Sequence, residues 1–136
     1  MDSTSVRRCR LFIVDNNEDL AWSLSEVLGL EPDIEPVGYW DKGADALRKA
    51  QDAGADVVIL DFRLPDCTAL TLLDDARANA MPFAILVYSG YLSPEVAAAV
   101  LSKGAAGYVT KGGSVEALVQ EIRRAYQAQQ ESRRVV

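Results

Sequence analysis

Four polar residues directly follow short apolar runs of the sequence, and together their side chains could do chemistry. Asp15 comes after RLFIV, Asp61 after DVVIL, Ser89 after FAILVY and Lys111 after AGYVT. If these runs are parallel strands, their carboxyl ends meet at one edge of a sheet, which is where such sheets bind ligands. We therefore expect two carboxylates, a hydroxyl and an ammonium to converge there, with Asn16 beside Asp15.

This set of groups suits phosphoryl transfer. Mg²⁺ prefers oxygen ligands such as carboxylates. A transferring phosphoryl group needs its oxygens neutralised by a metal and by cationic or hydroxyl donors. A carboxylate can itself accept the group and form an aspartyl phosphate. Asp61 is the candidate acceptor, because it follows the strongest apolar run, which we expect at the centre of the sheet.

The composition narrows the class of protein. A chain of 136 residues, 49% of them hydrophobic, suits one folded domain. The sequence contains no histidine, which excludes histidine bases, phosphohistidine on this chain and most zinc sites. A net charge of −6 argues against electrostatic binding of nucleic acid.

No secretory signal and no membrane-spanning run is recognisable in the sequence, so we expect a cytoplasmic chain without membrane contact. The two cysteines, Cys9 and Cys67, lack the spacing of metal ligands. In the cytoplasm they are expected to be free thiols.

Five strand-like runs alternate with five helical patterns. The predicted strands are 10–14, 34–40, 56–60, 83–88 and 106–110, and Pro36 places the second of them at a sheet edge. This alternation predicts an α/β fold, with a five-stranded parallel sheet covered by helices on both faces. We assign residues 1–130 to this domain and 131–136 to a polar tail or the start of a linker.

Capping residues mark the predicted helices. Asn17, Thr68, Ser93 and Ser114 can cap the first, third, fourth and fifth, and the second is predicted over 42–53. Two helices have an apolar stripe at helical spacing. The stripes comprise Leu20, Leu24, Val27 and Leu28 in the first helix, and Val115, Leu118, Val119, Ile122 and Tyr126 in the last.

Four pieces of the sequence, in order, resemble the receiver domain of bacterial two-component response regulators. They are LFIVDNNEDL, DVVILDFRLPD, ILVYSGY and AAGYVTKGGSVEAL, and the resemblance covers roughly residues 8–126. It implies a flavodoxin-like, doubly wound (βα)5 fold with strand order 2-1-3-4-5. It also implies a regulatory domain that accepts a phosphoryl group, rather than an enzyme with turnover.

The resemblance assigns roles to individual residues. A partner histidine kinase or phosphotransfer protein would donate the phosphoryl group to Asp61. Ser89 and Lys111 would contact that group. The Mg²⁺ ligands would be Asp15, Asn16, Asp61 and the backbone carbonyl of Arg63.

The resemblance also suggests how the signal is passed on. Tyr108 matches an aromatic residue that swings inward on activation and repacks the surface around the fourth helix, fifth strand and fifth helix. The resemblance also allows a second copy of the chain as a partner, in a homodimer. Many relatives carry a DNA-binding output domain after the receiver, so such a domain can follow in a longer protein, while this domain itself binds no nucleic acid.

Four residues depart from the family pattern. Asn16 stands where the family usually has a second acid, which should weaken Mg²⁺ binding because one negative charge is missing. Gly112 stands where a proline usually follows the lysine, so a trans peptide bond is expected there. Thr68 and Ala69 stand where an acid and a glycine are common.

Other functions remain open at this point. The main alternative is a pseudo-receiver, which would signal without phosphorylation. Asn16 is the residue that suggests it. A phosphatase of the haloacid dehalogenase type would need an acid at Asn17. A flavodoxin-like redox carrier would need a hydroxyl- and glycine-rich phosphate loop after the first strand, and this sequence has none there.

Overall fold

The chain folds into five β–α units. The structure is a computed structural model that describes residues 7–90 and 93–134; Tyr91, part of one motif quoted above, and the tail residues 135–136 lie outside them. The strands are β1 (Cys9–Val14), β2 (Ile34–Trp40), β3 (Val57–Asp61), β4 (Ala84–Ser89) and β5 (Gly107–Thr110). The helices are α1 (Glu18–Leu28), α2 (Ala46–Asp52), α3 (Ala69–Ala78), α4 (Pro94–Ser102) and α5 (Val115–Arg134).

All five strands are parallel and lie in the order β2-β1-β3-β4-β5. The predicted doubly wound fold and strand order are therefore confirmed. β2 is an edge strand, as Pro36 indicated, and the β1–β2 register shifts between Leu11 and Phe12. β3 is central, so its last residue, Asp61, lies in the middle of the carboxyl edge of the sheet.

The strands are buried on both faces because helices cover both. Leu11 and Ile13 of β1 pack with α1 and α5, while Phe12 and Val14 pack with the helices on the other face. β3 alternates in the same way. This two-sided burial explains why the strands are continuous apolar runs rather than alternating ones.

Three of the four predicted caps form as expected. The side chains of Asn17, Ser93 and Ser114 accept hydrogen bonds from the backbone amides of Leu20, Val96 and Ala117. Thr68 occupies the cap position of α3, but its side chain makes no capping bond. The backbone N–H of Ala69 instead donates to the carbonyl of Phe62, which closes the loop on itself.

The predicted apolar stripes of α1 and α5 each include one residue that is not buried, so the prediction was wrong there. Val27 and Val115 are each 39% exposed, whereas Ala21 and Ala125 are fully buried in the same helices. Small alanines carry little weight in a hydrophobic pattern, yet they let a helix approach the sheet closely. Trp22 is 64% exposed on α1.

Two helix boundaries also differ from the prediction. α2 begins at Ala46, four residues later than expected, because Asp45 adopts a left-handed conformation with φ of 68°. α5 continues to Arg134, through a segment that has no core pattern. Polar bonds hold that segment, since the side chains of Gln129 and Arg133 both donate to the carbonyl of Pro82.

Within the part of the chain that the structure describes, no helix is long and apolar enough to cross a membrane.

Candidate functional site

The carboxyl edge of the sheet gathers the polar residues singled out above. Asp15 directly follows β1, Asp61 ends β3, Ser89 ends β4 and Lys111 directly follows β5. We call these four residues the carboxyl-edge site. Asp15, Asp61 and Ser89 are buried, although each is polar and none fills the apolar core.

Lys111 connects the two carboxylates. Its Nζ lies 2.8 Å from Asp15 Oδ2 and 3.3 Å from Asp61 Oδ2. Its backbone N–H donates to the carbonyl of Ser89 over 2.7 Å, which continues the parallel pairing past the end of β5. The ammonium also lies 5.7 Å from the centre of the Tyr88 ring, within the range of a cation–π contact. The lysine is thus held by charge, by backbone pairing and by an aromatic face.

Asp15 is the most deeply buried member of the site, with 1% of its surface exposed. Its backbone N–H donates to the carbonyl of Trp40 on β2, and its Oδ1 accepts the backbone N–H of Asn17 over 2.8 Å. Its Oδ2 is also buried, and its ion-pair partner is the Lys111 ammonium at 2.8 Å. A carboxylate oxygen has more than one acceptor position, so Asp15 can also bind a metal cation beside the ammonium.

The site shifts the pKa values of its own members. Burial raises the pKa of the Asp61 carboxyl, and the charge of Asp15 raises it further; Lys111 lowers it by less, so the net shift is upward. Burial alone would lower the pKa of Lys111, but Asp15 and Asp61 together outweigh it, so its pKa is raised. Lys111 therefore stays protonated at neutral pH and offers a fixed positive charge.

The remaining predicted metal ligands lie in the loops around this site. Asn16 is exposed, next to the buried Asp15, and Arg63 is exposed two residues after Asp61. Within residues 7–90 and 93–134, no group of three or more acidic, histidine or cysteine side chains is arranged to hold a metal ion. The available side-chain oxygens are thus two carboxylates and one amide.

Two further residues lie close to Lys111 in the sequence, Tyr108 on β5 and Gly112 after it. Tyr108 is 42% exposed and lines an open groove between α4 and α5, which also includes Leu101 and Arg124. The peptide bond between Lys111 and Gly112 is trans, as expected, and Gly112 has φ of 88°, a conformation that glycine favours.

Two residues of the site region escaped the sequence analysis. Tyr88 places its ring against Lys111, and only its rarity in an otherwise aliphatic strand hinted at a role. Asp66 accepts hydrogen bonds from the backbone of Gly43 and Ala44. That pairing joins residues more than 20 positions apart and has no local sequence signal.

Comparison of the sequence with known proteins identifies one family. Residues 11–123 match the family model described as "Response regulator receiver domain". The chain is 32% identical over 102 residues to the DNA-binding transcriptional activator DevR/DosR of Mycobacterium tuberculosis, covering 75% of this chain and 47% of that protein. It is 26% identical over 115 residues to the nitrate/nitrite response regulator NarL of Escherichia coli K12, covering 85% and 53%.

A solved structure agrees with these matches. The beryllofluoride-activated NtrC4 receiver domain dimer is similar with a TM-score of 0.79 and 27% identity, over 88% of this chain and 98% of that one. The chain spans about half the length of the curated relatives named here.

Proposed function

The chain belongs to the response regulator receiver domain family of two-component systems, and from that premise we propose that Asp61 is its phosphoryl acceptor. One observation carries the proposal. The Asp61 carboxylate ends the central strand, and a lysine that it shares with the buried Asp15 lies 3.3 Å away. A nucleophilic carboxylate beside a fixed cation is the arrangement that phosphoryl transfer to an aspartate needs.

The reaction uses the residues of the site in defined ways. A carboxylate oxygen of Asp61 attacks the phosphorus of a phosphohistidine on the partner kinase, forming an O–P bond as the N–P bond breaks and its electron pair returns to the imidazole. The Lys111 ammonium and the Ser89 hydroxyl donate to the phosphoryl oxygens. Their positions beside Asp61 at neighbouring strand ends support these roles.

Receiver domains generally bind Mg²⁺ at their acidic site, and the oxygen donors here suit that ion. We assign Asp15, Asn16, Asp61 and the Arg63 carbonyl as the groups that would hold it. The two buried carboxylates, Asp15 and Asp61, which share the Lys111 ammonium, support this assignment because together they form an anionic site. When bound, the ion neutralises charge on the phosphoryl oxygens.

The output proposal concerns the α4–β5–α5 surface. Phosphorylation draws the Ser89 hydroxyl toward the phosphoryl group, and Tyr108 moves from its exposed position into the space that this opens. The exposed Tyr108 ring, in a groove between α4 and α5, supports such a motion, since it has room to become buried. The surface that changes would control the output.

The partners follow from the same premise. A sensor histidine kinase or phosphotransfer protein in the cytoplasm would supply the phosphoryl group. DevR/DosR is named as a DNA-binding transcriptional activator, and this chain spans 47% of it, which supports a DNA-binding output in a longer protein. The NtrC4 receiver is described as a dimer, which supports homodimer formation here.

A direct experiment tests the acceptor. The wild-type chain is incubated with Mg²⁺ and acetyl phosphate, and its intact mass is measured. We expect the mass of one phosphoryl group, lost on treatment with hydroxylamine. Asp61→Asn should gain none, while Asp19→Asn, which removes an exposed acid in the first turn of α1, should behave as wild type. An unmodified wild type, or a modified Asp61→Asn, would refute the proposal.

A pseudo-receiver is the second candidate, favoured by Asn16 and by the lack of a third acidic ligand among the described residues. Such a domain would signal by binding alone. Millimolar or tighter Mg²⁺ binding by the wild type argues against it. The phosphatase alternative has little support, because the Asn17 side chain caps α1 by accepting the Leu20 amide and is no general acid.

A further inference from the structure

Asp66 joins the two loops that flank the end of β1. Its Oδ1 accepts the backbone N–H of Gly43 over 2.7 Å, and its Oδ2 accepts that of Ala44 over 2.9 Å. We call these two bonds the loop clasp. The clasp uses both oxygens of a carboxylate, so asparagine, which has one oxygen acceptor, can replace only half of it. The same two amides lower the pKa of Asp66, so the carboxylate stays charged at neutral pH.

The loop that carries Asp66 follows Asp61 and is held together by backbone bonds. The backbone N–H of Leu64 donates to Cys67, that of Ala69 donates to Phe62, and Arg63 pairs with Thr68 as an antiparallel bridge. These contacts close the loop at its base. A displacement at Asp66 is therefore transmitted to Arg63, whose carbonyl we assign to the metal.

The second loop is tied to Asp15. The carbonyl of Trp40 accepts the Asp15 backbone N–H, and the Trp40 indole N–H donates to the carbonyl of Ala44 over 2.6 Å. Ala44 is also one of the two residues that bind Asp66. A chain of bonds thus runs from Asp15 through Trp40 and Ala44 to Asp66, and from there along the loop to Asp61.

The sheet order explains why this chain of bonds crosses the end of β1. β1 lies between β2 and β3, so the loops that follow β2 and β3 can meet only by passing over the end of β1, where Asp15 lies. Their contact is close. A Cβ on Gly43 would lie 2.2 Å from Cys67 Sγ, so any other residue there would have to displace that side chain or separate the loops.

We propose that Asp66 is a positioning residue for the acceptor site, holding the loop of Arg63 and the end of β1 at the separation that binds Mg²⁺. This proposal rests on the proposed function. Asp66 is not among the residues assigned to the metal or the phosphoryl group; it acts through the two loops. Groups that orient metal ligands typically change metal affinity by 10- to 100-fold when removed. For an indirect and exposed group, we expect about three- to tenfold.

The test measures Mg²⁺ affinity in the complete chain. Amide shifts of ¹⁵N-labelled protein are followed during Mg²⁺ titration of wild type, Asp66→Asn and Asp66→Ala, at a temperature where each is folded. We expect both variants to bind about three- to tenfold more weakly. Asp41→Asn is the matched control, since it removes the same charge from the neighbouring loop, where Asp41 lies 3.9 Å from Lys42 Nζ. It should stay within about twofold of wild type.

The outcomes separate this inference from the proposed function. If Asp66→Asn matches wild type in Mg²⁺ affinity and in its rate of phosphorylation by acetyl phosphate, Asp66 is only structural, and the acceptor role of Asp61 is unaffected. Equal weakening by Asp41→Asn would mean that charge, not the clasp, sets affinity, and would also overturn the inference. A wild type that binds no Mg²⁺ and gains no phosphoryl group overturns both.

Discussion

The Lys111 ammonium is paired with Asp15 more closely than with the proposed acceptor, at 2.8 Å from Asp15 Oδ2 against 3.3 Å from Asp61 Oδ2. Before any metal binds, the lysine thus balances two buried carboxylates at once. A divalent cation at Asp15 and Asp61 would take over part of that role. Lys111 would then be available to the phosphoryl oxygens, which links metal binding to the readiness of the site.

Replacing Lys111 with methionine tests this balance. The variant leaves two buried carboxylates without a cation, so we expect the free energy of unfolding to fall by about 1–3 kcal/mol in the absence of divalent ions. Mg²⁺ should restore more stability to this variant than to wild type. Urea denaturation with and without Mg²⁺ measures both effects. Lys103→Met, which removes an exposed pair with Asp74, is the control and should show no added response to Mg²⁺.

Asp61→Asn should stabilise the metal-free protein at neutral pH. The folded-state pKa of Asp61 is raised, first by burial and then by Asp15. The folded protein therefore gains its full stability from Asp61 below the pKa that this carboxyl has in the unfolded chain. That stability is lost as the pH rises through the higher pKa of the folded state. We expect the variant to gain on the order of 1 kcal/mol at pH 7 and nothing near pH 3. Denaturation curves measured between pH 3 and pH 7 test this prediction. A stability difference between variant and wild type that does not change with pH would contradict the raised pKa of Asp61.

Asn16→Asp should tighten Mg²⁺ binding. It restores one negative charge beside Asp15, a gain partly offset by carboxylate repulsion and better solvation of the exposed side chain. We expect about tenfold tighter binding, near 1.4 kcal/mol, with a lower melting temperature without metal. Isothermal titration calorimetry of both proteins measures the first effect. If wild type shows no binding and the variant does, Asn16 has disabled the site and the pseudo-receiver is favoured.

Gly43→Ala should separate the two loops that flank the end of β1. The added Cβ would lie 2.2 Å from Cys67 Sγ. We expect a loss of about 1–3 kcal/mol in the free energy of unfolding, as for other overpacked sites. Cys67→Ala removes the sulfur and should recover part of that loss in the double variant. A double-mutant cycle from chemical denaturation gives the coupling, and additive effects would mean that the two residues do not meet.

The sequence alone predicts the strands well because the sheet is buried on both faces. The apolar runs locate all five, but β3 and β4 each extend one residue further, to Asp61 and Ser89. Both polar residues still belong to the parallel ladder, where Asp61 pairs with Tyr88 and Ser89 with Thr110. An apolar pattern ends at the last apolar residue, whereas backbone pairing continues past it.

Polar and long-range contacts set the features that the sequence analysis missed. α2 starts late, after the left-handed Asp45, and the loop before it is held by Asp66, 22 positions from Ala44. The last turns of α5 are fixed by bonds from Gln129 and Arg133 to Pro82 rather than by a stripe of apolar residues. Val27 and Val115 were assigned to the core because hydrophobic patterns favour large residues over the alanines that pack there.

The order of the strand ends predicts which residues share the site. The relative distances of the charge pairs within the site depend on side-chain positions, which only the structure gives. Asp15, Asp61, Ser89 and Lys111 could be chosen because parallel strands end together. The closer pairing of Lys111 with Asp15 could not be foreseen, since it depends on side-chain direction.

The most direct test of the central claim is to find which residue carries the phosphoryl group. The chain is treated with acetyl phosphate and Mg²⁺, the acyl phosphate is reduced with borohydride, and peptides are sequenced by tandem mass spectrometry. We predict that Asp61 is converted to homoserine, and that Asp15 is unchanged. Conversion at another aspartate, or at none, would contradict the account.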